Sequence, residues 1–253
     1  MSGPFEAVFT KLYLNEHTIT GTCEPYLPEQ TIILLSYRHS FHAGNFADVL
    51  KHIVLVEILE YLTQKEKPFE YIDTHAGAGL FDLQSDRAKQ LNESDNGIRK
   101  LDSNDWPGLE RYFEVIARHN PNPSLEQYPG SPLIAQHFLR RQDKAWLFEL
   151  HPEDYELLKR NITPGRRTKI LQENGFKHLL GLLPPASRRA LVLIDPSYEI
   201  KTDYQTVVRT ISKAHKRFSS GIYAVWYPVV DRLRIDQMET DFISSGIKNI
   251  QRF

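Results

Sequence analysis

Cysteine is almost missing from this sequence: Cys23 stands alone. One thiol can form neither an internal disulfide nor a thiolate-rich zinc site, and a reducing cytoplasm is the expected setting. Long apolar runs are missing too. None approaches the length that spans a bilayer, so no membrane partner is expected. The first residues lack a charged-then-apolar signal layout. No sign of charge prevails, with 31 Lys and Arg against 32 Asp and Glu and a net charge of -1. A polyanionic partner would have to be met by a local basic patch, not by the whole surface. Two reaction signatures are also absent. There is no Gly-Lys-Ser/Thr phosphate loop and no Gly-x-Ser-x-Gly elbow around Ser131, which excludes those routes to phosphate and serine chemistry.

What remains is an ordinary soluble composition over 253 residues, 41% hydrophobic and 25% charged. It suits one large domain, or one domain with an insertion. Residues 1–33 mix polar side chains with Pro4, Pro25 and Pro28 and keep no period, so they read as an extension. Residues 31–35 are a candidate short strand. From Ala47, apolar residues recur at three- and four-residue steps through Leu50, Ile53, Ile58 and Leu62, which predicts a helix ending near residue 65. Residues 69–73 read as a strand feeding a glycine-rich turn, Thr74-His75-Ala76-Gly77-Ala78-Gly79.

Between residues 84 and 141 the composition turns polar. It then gives a predicted helix over 106–119 and another reaching 141, with Ser131 as N-cap and Pro132 at the first helical position. This stretch reads as a helical insertion subdomain. After it, strands at 145–150, 168–172, 190–194 and 221–226 alternate with helices at 152–161, 175–183, 202–217 and 229–244, and residues 247–253 begin a sixth strand. Strict alternation predicts an α/β fold: a doubly wound, Rossmann-like sheet covered on both faces.

Candidate chemistry gathers at the ends of these strands, where open α/β sheets bind ligands. Gly77 and Gly79 let the backbone pass close to a ligand, although Asp82 replaces the third glycine of a dinucleotide fingerprint. Tight packing alone can produce such a turn. Glu149 ends its strand as a candidate partner for ribose hydroxyls, or as an acid at a helix N-terminus. Asn174-Gly175 follows the next strand and reads either as a contact to a cofactor base or as a turn.

Asp195-Pro196-Ser197-Tyr198 follows the most apolar strand. An adenine amine is a poor nucleophile because its lone pair is delocalised into the ring. The Asp195 carboxylate and the Pro196 carbonyl could accept its two hydrogens, while Tyr198 stacks on the base. A turn without chemistry is the plainer alternative. Tyr37, Arg38, His39, Lys51 and His52 make the best candidate nucleic-acid patch. The histidines there lack an ordered set of partner ligands, so no metal is expected.

The runs Ser-Tyr-Arg-His-Ser-Phe-His-Ala-Gly-Asn-Phe-Ala-Asp-Val-Leu-Lys-His, Asp-Thr-His-Ala-Gly-Ala-Gly, Tyr-Pro-Gly-Ser-Pro, Glu-Leu-His-Pro and Asp-Pro-Ser-Tyr-Glu together resemble the bacterial 23S ribosomal RNA adenine-N6 methyltransferase J family. The likeness runs in order over residues 34–253. It implies a class I methyltransferase sheet, S-adenosylmethionine as cofactor and 23S ribosomal RNA as partner; a monomer is the expected state, although the sequence itself does not give it. By resemblance His52, His75, Ser131, Glu149, Asn174 and Gly175 fall at the cofactor site, Asp195 at the catalytic acid, and Tyr37 and Lys51 at the substrate RNA. Ser197 stands where the family usually has a second proline, and Asn174 where it usually has Asp. The family typically begins at the position of Leu34 and continues past Phe253. Methylation of DNA adenine, and a non-catalytic nucleic-acid-binding role in the use of external DNA, are the alternative readings.

Overall fold

The run Ala190–Ile194 is apolar throughout and buried at every position, as a strand covered on both faces must be. It lies inside a five-stranded parallel sheet in the computed structural model, which describes residues 42–122, 124–163, 165–228 and 232–252. The candidate strand at 31–35, the extension 1–33, and Tyr37, Arg38 and His39 fall outside the described residues. In chain order the elements are α1 (Phe46–Thr63), β1 (Glu70–Asp73), β2 (Leu80–Asp82), α2 (Asp86–Leu91), α3 (Glu110–His119), β3 (Gln127–Pro129), α4 (Ser131–Phe138), β4 (Lys144–Phe148), α5 (Pro152–Asn161), β5 (Thr168–Leu171), α6 (Gly175–Leu182), β6 (Ala190–Ile194), α7 (Asp203–Arg217), β7 (Ile222–Val225) and α8 (Arg232–Ser244).

The sheet order is β5-β4-β1-β6-β7. The chain winds outward from β1 through β4 to β5, then returns to the other side of β1 for β6 and β7. The reversal between β1 and β6 opens a crevice at the carboxyl ends of the strands. Side chains alternate across the sheet, as the pleat requires. Tyr71, Leu147, Leu191 and Leu193 pack with residues of α1, α3 and α4. Ile72, Phe148, Val192 and Ile194 pack with residues of α6, α7 and α8. Two apolar cores therefore hold the sheet between helical layers within the unit formed by residues 36–247.

Several local expectations are corrected. The helix expected from residue 106 begins at Glu110, because Pro107 and Gly108, with φ +107° at Gly108, form a turn first. Ser131 is not an N-cap. Gly130 precedes the helix without a side-chain cap, and Ser131 is the first helical residue. The stretch from 84 to 141 is not helix alone, since β3 pairs antiparallel with β2. Residues 247–252 form no strand.

Candidate active site

The turn after β1 is bound to both neighbouring strands. Thr74 donates its backbone N–H (3.1 Å) and its hydroxyl (3.0 Å) to the carbonyl of Leu193 on β6. Ala76 N–H reaches Phe148 O on β4 at 2.8 Å. Gly77 then takes φ +62°, a backbone conformation that glycine adopts at no steric cost, and gives its N–H to Glu149 Oε2 at 2.8 Å. The other oxygen, Oε1, accepts from His151 N–H at 2.6 Å. Burial pushes the Glu149 carboxyl up to about 7, against the pull of these two backbone donors.

The Thr74 hydroxyl hydrogen is committed to a carbonyl, so its contact with His75 Nδ1 at 2.8 Å requires the imidazole to donate there. Nε2 is left as an acceptor. Burial pulls His75 down to about 4, against the opposing influence of Asp195. The ring is therefore neutral near pH 7.

Beneath the turn, Asp73 is fully buried. It accepts from the Tyr71 hydroxyl (2.7 Å), the Ser131 hydroxyl (2.7 Å) and His75 N–H (3.2 Å). Burial raises its carboxyl, while the Tyr71 and Ser131 bonds favour the charged form. The start of α6 presses against the same turn. A Cβ on Gly175 would lie 2.4 Å from Thr74 O and 2.6 Å from Thr74 Cα, so only glycine fits. Asn174 caps α6, its side-chain oxygen accepting from Lys177 N–H at 3.2 Å.

On the far side of β1 the chemistry is ionic. Asp195, at the end of β6, meets Lys51 of α1, with Oδ2 2.7 Å from Nζ. Lys51 is only 7% exposed and also meets Asp48 at 2.9 Å. Asp48 in turn accepts Gly44 N–H at 3.0 Å. Burial would pull the Lys51 ammonium down, but Asp195 and Asp48 together outweigh it and hold the group above its ordinary value. Asn45 positions this cluster by capping α1, its oxygen accepting from Asp48 N–H at 2.9 Å.

After Asp195, Pro196 is buried and Ser197 exposed. Tyr198 takes φ +56°, a strained conformation for a residue with a Cβ. Two anchors hold it there: its hydroxyl donates to Trp226 O at 2.8 Å, and its ring packs on Tyr204 with centroids 4.6 Å apart. Burial pushes the phenol well up.

The structure brings His75, Gly77, Ser131, Glu149, Asn174, Gly175 and Asp195 to the strand ends around β1. It does not make Lys51 and His52 part of an exposed patch. Both lie on the stripe of α1 turned to the interior. His52 is 1% exposed, with Nδ1 2.8 Å from the Tyr128 hydroxyl, itself 3.2 Å from that of Tyr112. Gly79, at φ +79°, passes its carbonyl to Gly130 N–H at 2.8 Å. Two residues of the cluster were missed in the sequence. Asp48 stands three residues before Lys51 at a helix start, and Asp73 immediately precedes the glycine turn. A groove of about 490 Å³ between α3 and residues 99–103 shares no residue with the cluster.

The family described as ribosomal RNA large subunit methyltransferase D, RlmJ, matches residues 66–253. The chain belongs to this methyltransferase family. It is 51% identical over 219 residues to the ribosomal RNA large subunit methyltransferase J of Escherichia coli (strain K12), covering 86% of this chain and 78% of that one. The protein of the same name from Haemophilus influenzae is 48% identical over 220 residues, again 86% of this chain and 78% of that one. The crystal structure of protein LPL1258 from Legionella pneumophila is similar, with a TM-score of 0.77 and 40% identity, over 81% of this chain and 76% of that one. Among the described residues no group of three or more His, Cys, Asp and Glu is arranged to hold a metal. No helix there is long and apolar enough to cross a membrane.

Proposed function

We propose that the chain is an S-adenosylmethionine-dependent methyltransferase acting on N6 of an adenine in 23S ribosomal RNA, as a monomer in the cytoplasm. In this reading residues 34–253 are the methyltransferase domain and residues 84–141 its insertion. The observation that carries the proposal is the pairing of Glu149 and Asp195 on either side of β1, one wall suited to a nucleoside and the other to an amine. The names of the Escherichia coli and Haemophilus influenzae relatives support ribosomal RNA as substrate.

The residues present fit the cofactor. Glu149 offers carboxylate oxygens to ribose hydroxyls. Gly175, lacking a Cβ, lets the start of α6 pack directly on the turn, and His75 Nε2 is an acceptor at the same edge. Asn174 lies one strand further out, toward the base. Ser131 holds Asp73 in place beneath them, and His52, through Tyr128, anchors α1 behind the site. S-adenosylmethionine, when bound, supplies a methyl group activated on a sulfonium.

The protein's part is positioning and electrostatics. Asp195 accepts one hydrogen of the target amine and the Pro196 carbonyl accepts the other, which aims the nitrogen lone pair. Lys51 holds Asp195 in that orientation. Tyr198, fixed at its hydroxyl by Trp226, forms the wall against which the unstacked base rests. Tyr37 and Arg38 belong to the RNA contact in this reading. The proton released from N6 leaves to solvent, so no strong base is needed.

Transfer of tritiated methyl from labelled cofactor tests the assignment. Label in unmodified 23S RNA is expected. Label only in DNA overturns the RNA substrate in favour of DNA adenine, and failure to bind S-adenosylhomocysteine favours a non-catalytic nucleic-acid-binding role.

A further inference from the structure

The basic patch expected around α1 loses Lys51 and His52, because both are buried. Another basic surface lies at the opposite edge of the sheet. All five strands run parallel, so the loops that enter them share one edge, away from the crevice. Those loops carry Lys65 and Lys67 before β1, Arg141 before β4, Arg166 and Arg167 before β5, and Arg188 before β6. All six residues are exposed. None of their side chains makes an ion pair or hydrogen bond among the described residues. The acids of the same loops do not balance them. Asp143 is buried and taken by Arg140, which leaves Glu66 as the exposed acid there. The cations that end α7 need no ligand, since a helix C-terminus accounts for them.

These loops are fastened to one another. Lys67 O accepts from Arg140 Nη2 at 3.2 Å and from the Arg189 guanidinium, which ties the entries of β1, β4 and β6 together. Ala145 N–H reaches Arg167 O at 2.8 Å and so adds the entry of β5. The six cations therefore stand on a fixed frame four strands wide, roughly 14 Å at the usual strand spacing. In a chain of net charge -1 they are a local excess, whose mutual repulsion a polyanion relieves. Four of them are arginines, whose planar forks suit phosphate oxygens.

We propose that this edge is a second RNA-binding surface, which grips the phosphate backbone of the substrate at a distance from the target adenine. The inference rests on the reading of RNA as substrate. A surface of this kind adds affinity and register without reading sequence. The crevice lies one strand length away, roughly 17 Å for the five residues of β6, so one folded RNA can touch both edges.

Binding of 23S RNA to the full chain across a salt series tests this. Arg166→Gln, Arg167→Gln and Arg188→Gln together should weaken affinity about 10–100-fold at physiological salt, and lower the slope of log K against log salt by about 2–3. The KM for RNA should rise with it, while kcat at saturating RNA stays within about twofold. Affinity for S-adenosylhomocysteine should not change. Lys at the same three positions should keep most of the affinity and the full slope, because the charges remain. A second set, Lys65→Gln, Lys67→Gln and Arg141→Gln, should lower the slope by a similar amount and decides the matter if the first set fails to fold. Unchanged affinity and slope in these variants overturn the surface and leave the six cations as solvated charge, or as a site for an acidic protein, while the RNA reading stands. Failure of the natural chain to bind 23S RNA overturns the RNA reading and this inference with it.

Discussion

The two walls of the crevice use opposite means to hold a carboxylate. On the β1–β4 wall, Glu149 and Asp73 are surrounded by neutral donors: backbone N–H groups, the Tyr71 and Ser131 hydroxyls. On the β6 wall, Asp195 and Asp48 share the buried ammonium of Lys51. Neutral donors leave burial as the largest influence, so the Glu149 carboxyl rises to about 7. On the β6 wall the two carboxylates hold the Lys51 ammonium above its ordinary value, so it stays charged across the neutral range. One wall should therefore respond to pH near neutrality, and the other should be indifferent to pH but fragile to substitution.

The largest effect should come from the β6 wall. Asp195→Asn replaces an acceptor oxygen with a donor against the target amine while leaving Lys51 its bond to Asp48. Methyl transfer should fall about 10²–10³-fold, the range for removing one aimed electrostatic group. S-adenosylhomocysteine affinity, read by calorimetry, should stay within about twofold. Retained transfer would show that Asp195 does not orient the amine.

Lys51→Met should act on the fold instead. Removing one partner of a buried ionic cluster costs about 3–5 kcal/mol, measurable by urea unfolding. The ammonium of Lys51 is held above its ordinary value, so its contribution is complete at pH 7 and is lost only as pH rises past that value. The deficit in Lys51→Met should therefore be the same at pH 6 and at pH 8.

That contrast also marks what could be read from the chain. The β4 wall is built from local signals: a strand, a glycine turn, and an acid or Asn immediately after a strand. His75, Gly77, Glu149 and Asn174 were legible because each sits at the end of a periodic run. The Lys51–Asp195 contact joins residues 144 apart, and only the winding of the sheet brings α1 over β6. The same limit misplaced Lys51 and His52 on a surface patch, because a helix with apolar residues on most sides does not declare which polar ones face inward. Ser131 looked like an N-cap because Ser before Pro usually is one. A buried carboxylate 58 residues earlier claimed its hydroxyl. Strand positions, by contrast, followed from apolar runs that only a sheet covered on both faces can bury.

The β1–β4 wall should break sterically at Gly175. Gly175→Ala puts a methyl carbon 2.4 Å from Thr74 O, a backbone atom. The start of α6 must then move away from the turn, costing about 1–3 kcal/mol. Cofactor binding should weaken with it, because Asn174 moves too. A thermal melt and a titration with S-adenosylhomocysteine on the same preparation check both. An unchanged melt would mean that α6 is looser against β1 than its contacts imply.

The smallest expected effect is the pH response of Glu149, and its two signs oppose each other. The folded value of about 7 lies above the ordinary 4.5, so the folded chain holds this proton more tightly than the unfolded chain does. Stability from this group therefore falls as pH rises from 4.5 to about 7 and is level above that. Ribose hydroxyls are donors and need the ionised carboxylate, so cofactor affinity should rise across the same window. Below about pH 7 it should drop by up to tenfold per unit, and above it should flatten. Neighbouring His75, already neutral with its value near 4, adds no slope there. Glu149→Gln separates this group from any other titrating nearby. A single amide oxygen cannot serve both Gly77 and His151, so the variant should bind S-adenosylhomocysteine weakly, and with no pH slope between 5.5 and 8. A slope that survived the substitution would assign the pH response to a different residue, and would remove Glu149 from the ribose contact.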